Sequence, residues 1–357
     1  MKVAFLWTNI SGYMTACWRA LDSMDDIEVS ICAFRPGEMA PFTAEMVAGL
    51  NHRLLDSRER KNSNMWRRYI DNAQADIYVI CGWGTTAFAS LSEYVHSRGA
   101  KAIVVLDTPF EGRWHQYLTR FKYRKLFAHT DMFVVTGERS YQYALRLKSG
   151  VPVRRGLYGV DYARLSQAYD YRSSSRWPKK FLFVGRYAEV KNINVLVAAY
   201  LDYRNTVDSP WPLICCGTGP ESEQLDGIPG LDNRGFCQPE EVINIMRESG
   251  VFVLPSRFDP WPLVIVEACA AGLPIICSQA CGSAVENVRD YYNGIFVQTG
   301  SKQDLAYSMR WMHHNHRVLD QWGKRGQELA RAYSAEAWAE RWHRWLLQLI
   351  GVENNQR

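Results

Sequence analysis

An α/β chain built from two doubly wound, parallel-sheet domains facing each other across a cleft is the fold class this sequence predicts. Three observations predict it. Short apolar runs recur along the chain with longer helical or loop stretches between them, the alternation of a parallel sheet with crossover connections. A polar stretch from Ser166 to Lys180 interrupts the series, and a second series begins at once. At 357 residues and 47% hydrophobic content, the chain is also long enough for two cores.

In the first half the strand candidates are Lys2 to Trp7, Ile27 to Ala33, Asp76 to Cys81, Ala102 to Leu106 and Met132 to Thr136, with Ala44 to Leu55 and Ala87 to Ser97 read as helix or loop between them. The opening residues read as a first strand rather than a leader, because the apolar run is short and no small-residue cleavage site follows. The second series is Phe181 to Val184, Leu213 to Cys216, Val251 to Leu254 and Ile275 to Cys277. The expected domains are therefore 1–165, a linker at 166–180, and 181–334. Trp338, Trp342 and Trp345 fall at i, i+4 and i+7 of a closing helix, one face, which reads as a packing surface returning to the first domain with 335–357.

No run approaches the ~20 apolar residues of a membrane span. Nine cysteines occur without CxxC pairs or zinc-finger spacing, several inside apolar runs, so they read as reduced core residues of a cytoplasmic protein with no metal site. Cys277 and Cys281 are near enough in sequence to approach one another. The net charge of +5 is uneven: residues 1–165 hold 22 Lys and Arg against 16 Asp and Glu, leaving 20 against 21 in the remainder. A basic first half suits an anionic partner, a phosphate-bearing acceptor or the inner face of a membrane. No nucleic-acid motif accompanies it, so nucleic acid is not expected. The stretch from Arg113 to Lys125 mixes five basic residues with four aromatics. It reads as a helix whose aromatics join the core and whose basic edge faces phosphate, the alternative being a helix lying on a membrane.

Chemistry concentrates in the second half. Val251 to Leu254 runs into Pro-Ser-Arg-Phe-Asp259-Pro-Trp-Pro262, a helix follows from near Pro262, and Gly272 and Pro274 stop it. Asp259 precedes this helix and Glu267 lies inside it, within an apolar turn. A carboxylate there is either solvated and ion-paired or functional. Because open α/β sheets bind ligands beyond the carboxyl ends of their strands, and a helix N-terminus offers N–H groups to phosphate, the pair suggests a nucleotide-sugar site. The second series opens with Phe-Leu-Phe-Val-Gly185-Arg186-Tyr-Ala-Glu-Val-Lys191-Asn. Two cations after a Gly-ended strand suit a diphosphate leaving group. Cys216-Gly-Thr-Gly-Pro-Glu221 offers Gly-x-Gly after a strand but lacks the third glycine of a dinucleotide fingerprint.

Taken together, Gly185-Arg186…Lys191, Asp259-x7-Glu267 and Ala271-Gly272-Leu273-Pro274 resemble glycosyltransferase family 4, retaining and metal-independent enzymes of the GT-B fold with two Rossmann-like domains. Gly294 in Tyr-Asn-Gly-Ile-Phe-Val and Val160-Asp161 in Tyr-Gly-Val-Asp-Tyr carry the resemblance further. It is strong over 181–300 and weaker in the first half. It implies that Arg186 and Lys191 hold the diphosphate of a UDP- or GDP-sugar, that Glu267 binds the ribose hydroxyls, and that Leu263 and Val264 meet phosphate or sugar through their backbone. Phe236 and Cys237, after Gly235, would flank the base. Asp259 stands where the family usually has Glu, which shortens its reach to the donor sugar. Gly12, in Ser-Gly-Tyr after the first strand, resembles the family's glycine-containing loop near the diphosphate. Asp107 stands where the family often carries a histidine and is either the acceptor-side base or a strand-end cap, with His115 as a second candidate. The implied activity is transfer of a hexose or related sugar to the hydroxyl of a glycan, lipid-linked or small-molecule acceptor, without a further cofactor. The alternatives are a GT-B nucleotide-sugar epimerase and a non-catalytic nucleotide-sugar-binding protein.

Overall fold

The computed structural model describes residues 1–37, 41–148, 150–173 and 177–351. They divide into two compact units, Met1–Gly159 with Ala335 onward, and Val160–Ser334. In the first unit, strands β1 (Lys2–Asn9), β2 (Glu28–Phe34), β3 (Asn51–Leu55), β4 (Ile77–Ile80), β5 (Lys101–Leu106), β6 (Met132–Val135) and β7 (Val153–Arg155) form one sheet. Its order is β3-β2-β1-β4-β5-β6-β7, with every pair parallel. In the second, β8 (Phe181–Val184), β9 (Leu213–Cys216), β10 (Leu231–Gly235), β11 (Val251–Leu254), β12 (Ile275–Ser278) and β13 (Gly294–Val297) run β10-β9-β8-β11-β12-β13, again all parallel.

Central strands covered on both faces read as unbroken apolar runs, and β4, β6, β9, β11 and β12 are buried throughout. The edge strands β3, β7 and β10 do not, whereas the edge strand β13 is the short apolar run Gly-Ile-Phe-Val. Residues 51–55, read with 44–50 as helix or loop, become a 3-10 turn at Ala44–Val47 followed by β3, whose Asn51 and His52 are exposed. Strand β10 is Leu-Asp-Asn-Arg-Gly, with no apolar run at all.

Two further expectations are corrected. The segment read as a linker continues a helix, Tyr162–Ser173, that belongs to the second unit; of the remainder, 174–176 lie outside the described residues. Its polar composition conceals an anchored face. Leu165, Ala168 and Arg172 are buried, and the Arg172 guanidinium donates to the carbonyls of Met246 (2.6 Å) and Ala271. Burial pulls Arg172 down to about 9. The unit boundary therefore falls at Gly159/Val160 rather than at 165. The second correction concerns Arg113 to Lys125: the helix Trp114–Lys122 buries Gln116 and Thr119, while Trp114, Tyr117, Leu118 and Phe121 face solvent.

The closing helix Ala335–Leu349 packs in the first unit against the helix Gly12–Asp22. Trp338 and Trp342 are fully buried, and their indole N–H groups donate to the carbonyls of Leu157 (2.8 Å) and Gly156 (3.2 Å). All nine cysteines are free. Cys281 sits 3.7 Å from the Ser278 hydroxyl rather than bonded to Cys277.

Candidate functional site

Both sheets reverse their winding direction once, between β1 and β4 in the first and between β8 and β11 in the second. At such a point the connections leave to opposite sides and open a crevice beyond the strand ends. In the second unit the loops after β8 and β11 carry Gly185, Arg186, Lys191 and Asp259.

These loops are tied together. Asn192 is buried and left-handed at φ 65°, a conformation asparagine tolerates better than most residues. Its amide donates to the Pro255 carbonyl (3.1 Å) and accepts from the Arg257 guanidinium (2.8 Å). The Arg257 N–H in turn reaches the Val190 carbonyl (2.8 Å). This clamp brings the Lys191 ammonium onto the Asp259 carboxylate, both side chains largely buried. Arg257 and Asn192 were not singled out from sequence. Asn192 directly follows Lys191, and only its left-handed turn makes it structural.

The Gly-x-Gly after β9 has a packing role. A Cβ on Gly217, at φ 154°, would overlap the Gly185 carbonyl oxygen, and one on Gly219 would overlap that of Tyr187. The backbones lie that close because Gly185 N–H bonds to Cys216 (3.0 Å) and Tyr187 N–H to Thr218 (2.9 Å). Gly217→Ala is expected to lower stability by about 1–3 kcal/mol, read as a fall in the denaturant midpoint.

Helix Leu263–Ala270 starts one residue later than its sequence suggested, with Pro262 as N-cap. Among the described residues no side-chain hydrogen bond caps its first turn, so the amides at Leu263 and Val264 have no side-chain acceptor there. Gly272 ends it at φ 69°. Glu267 lies one turn in, half-buried, and makes no side-chain hydrogen bond or ion pair among the described residues. Burial pushes its carboxyl up to about 7. Arg186 is exposed at the end of β8 and likewise unpaired among the described residues. Phe236 and Cys237 follow β10, whose Gly235 carbonyl accepts from Gly217 N–H (2.7 Å). They line a pocket of about 420 Å³ with Arg234, Glu241, Asn244 and Glu248.

In the first unit, Gly12 opens the helix after β1, and Asp107 follows β5. The Asp107 carboxylate accepts from the Tyr158 hydroxyl (3.4 Å), and the Tyr158 ring meets Tyr13 edge-on at 5.5 Å. Burial, then the Asp107 charge, raises the Tyr158 phenol well above its usual range. Tyr158 was missed from sequence, since nothing local distinguishes it. His115 is exposed on the helix Trp114–Lys122.

Known structures share this arrangement of sheets. Sucrose-phosphate synthase from Thermosynechococcus elongatus superposes with a TM-score of 0.76 at 17% identity, over 99% of this chain and all of that one. Anabaena HepE in complex with UDP gives 0.74 at 14%, over 98% and 100%. The fold is GT-B. Within this GT-B chain, residues 172–329 match the family model of Glycosyl transferases group 1. An uncharacterized glycosyltransferase of Methanocaldococcus jannaschii is 29% identical over 157 residues, which is 41% of this chain. The chain spans 37% of that relative's length and less than half that of two other curated relatives. Among the described residues no helix is long and apolar enough to cross a membrane.

Proposed function

We propose that this chain is a retaining glycosyltransferase of family 4, moving a sugar from a UDP- or GDP-sugar to a hydroxyl acceptor, in the cytoplasm and without a metal. The observation that carries this reading is the meeting of Lys191 with Asp259 at the winding switch of the second sheet, beside a helix that among the described residues has no side-chain cap and bears a Glu267 with no side-chain partner. A neighbour of the same fold holds UDP and glucose in its crystal structure, which supports a nucleotide-sugar donor.

In this reading the diphosphate lies between Arg186, Lys191 and the amides at Leu263 and Val264, with Gly185 leaving room beside the strand end. Lys191 moves from Asp259 to phosphate, and Asp259 is left facing the donor sugar. Glu267 accepts from the two ribose hydroxyls, whose donors replace the water it lacks when half-buried. The backbone at Phe236 and Cys237 flanks the base. In the first unit Gly12 serves the diphosphate, and Asp107 orients the attacking hydroxyl of the acceptor. The acceptor oxygen forms its bond to the anomeric carbon on the face from which the diphosphate oxygen departs, and that oxygen takes the acceptor's proton. The cations stabilise the charge developing on the leaving group, where fixed donors contribute most.

Calorimetric titration with UDP-, GDP- and ADP-sugars, followed by a hydrolysis assay on any that bind, tests the proposal. One donor is expected to bind saturably and to be hydrolysed slowly, with Arg186→Ala weakening it. Absence of saturable binding by all three would defeat the reading.

A further inference from the structure

The helix Trp114–Lys122 in the first unit is turned inside out relative to an ordinary surface helix, which hides its apolar side. Its inward face is polar and anchored: Gln116 donates to the Pro109 carbonyl (2.8 Å) and accepts from Glu111 N–H (2.8 Å), and the Thr119 hydroxyl accepts from Tyr143 (2.9 Å). Its outward face carries Trp114, Tyr117, Leu118 and Phe121, which are 75%, 57%, 50% and 64% exposed. At 3.6 residues per turn these four fall within an arc of about 100°. Arg120 borders the arc on one side, Lys122 and His115 on the other.

The surrounding charge is mostly positive, with Arg113 paired to Glu111 (3.1 Å) and Lys125 to Glu93 (3.7 Å). Residues 112–130 include Arg113, Arg120, Lys122, Arg124 and Lys125 and no Asp or Glu. Arg120, Lys122 and Arg124 are exposed and have no ion-pair partner among the described residues. An apolar stripe flanked by unpaired cations matches a planar surface with an apolar interior and anionic headgroups. A second copy of this face would bring the same cations together, and Leu118 within the stripe offers no stacking plane to a nucleic-acid base.

We propose that the helix Trp114–Lys122 is a docking element for an anionic lipid surface, with Trp114, Leu118 and Phe121 entering the headgroup boundary and Arg120, Lys122 and Arg124 contacting lipid phosphate. The inference is independent of the transfer reaction, since it uses no residue of the donor site.

Co-sedimentation of the full chain with vesicles tests it. Wild-type protein is expected to pellet with phosphatidylglycerol-containing vesicles, weakly with pure phosphatidylcholine, and less at high salt. Because the side chains are exposed, Trp114→Ser, Leu118→Ser and Phe121→Ser combined should leave the thermal melt unchanged and lower vesicle affinity about tenfold or more. Arg120→Gln, Lys122→Gln and Arg124→Gln combined should do the same for anionic vesicles only. Failure of wild type to pellet with anionic vesicles overturns the proposal, as does undiminished binding by the triple serine variant. A self-association or RNA complex that the serine variant abolishes, without vesicle binding, overturns it in favour of that partner.

Discussion

Lys191→Ala is expected to reduce turnover by about 10²–10³-fold, the loss seen when one preorganised donor to a developing anion is removed. It also leaves Asp259 buried without its cation, which breaking a buried pair makes costly, about 3 kcal/mol or more. The two effects separate in a double variant. Lys191→Met with Asp259→Asn removes both charges together, so thermal stability should recover toward wild type while turnover stays low. Non-additive stability with persistently lost turnover is the predicted cycle. A double variant that regains both would mean that Lys191 serves only to neutralise Asp259. Wild-type turnover in Lys191→Ala would remove the cation from the site altogether.

Glu267→Gln is expected to move stability and donor affinity in opposite directions. The folded carboxyl titrates at about 7 against an ordinary 4.5, because burial disfavours its charged form. Between those values the folded state holds more protons than the unfolded one, so this group's effect on stability becomes more unfavourable as pH rises from 4.5 through 7, by up to about 3 kcal/mol. Glutamine carries no such penalty. The variant should therefore melt higher than wild type at pH 8 and converge with it near pH 4.5. Donor affinity should fall ten- to hundredfold, as expected from about 1.5–3 kcal/mol for hydrogen bonds to a charged acceptor. In wild type the affinity should rise with pH toward 7 and then level, since ribose hydroxyls favour the carboxylate, and binding below pH 7 should release a proton. Glutamine should abolish that pH dependence. Isothermal titration in two buffers of different ionisation enthalpy measures both. Unchanged affinity in Glu267→Gln would take this residue out of the donor site.

How much was legible beforehand follows a physical rule. Strands β1, β2, β4, β5, β6, β8, β9, β11 and β12 were readable because a parallel strand with neighbours on both sides is buried on both faces, which demands an apolar run. Edge strands β3, β7 and β10 were not, because an exposed margin imposes no such run; Asn51 to Leu55 and Leu231 to Gly235 acquire strand geometry from the neighbour they pair with. The fourth edge strand, β13, is apolar but was not read as a strand. The helix Tyr162–Ser173 was hidden for a different reason. Its anchor is an arginine, and only the carbonyls of Met246 and Ala271, distant in sequence, reveal that Arg172 belongs inside.

The residues proposed for the donor site were named from their local order and from the family resemblance. Gly-Arg…Lys and Asp-x7-Glu sit where a strand ends and a helix begins, and strand-end loops are where parallel sheets place ligands. Sequence by itself determined the two α/β halves, the Trp-rich closing helix and the short list of charged residues beyond strand ends. Tertiary structure alone decided which of those charges meet. It paired Lys191 with Asp259 through the left-handed Asn192 and left Glu267 without a side-chain partner among the described residues. It also turned the aromatic face of Trp114–Lys122 outward, although the same residues in order were equally compatible with a core. Periodicity specifies that a helix has an apolar face. The direction of that face is set by what packs behind it, here Gln116 and Thr119 bonded to Pro109 and Tyr143.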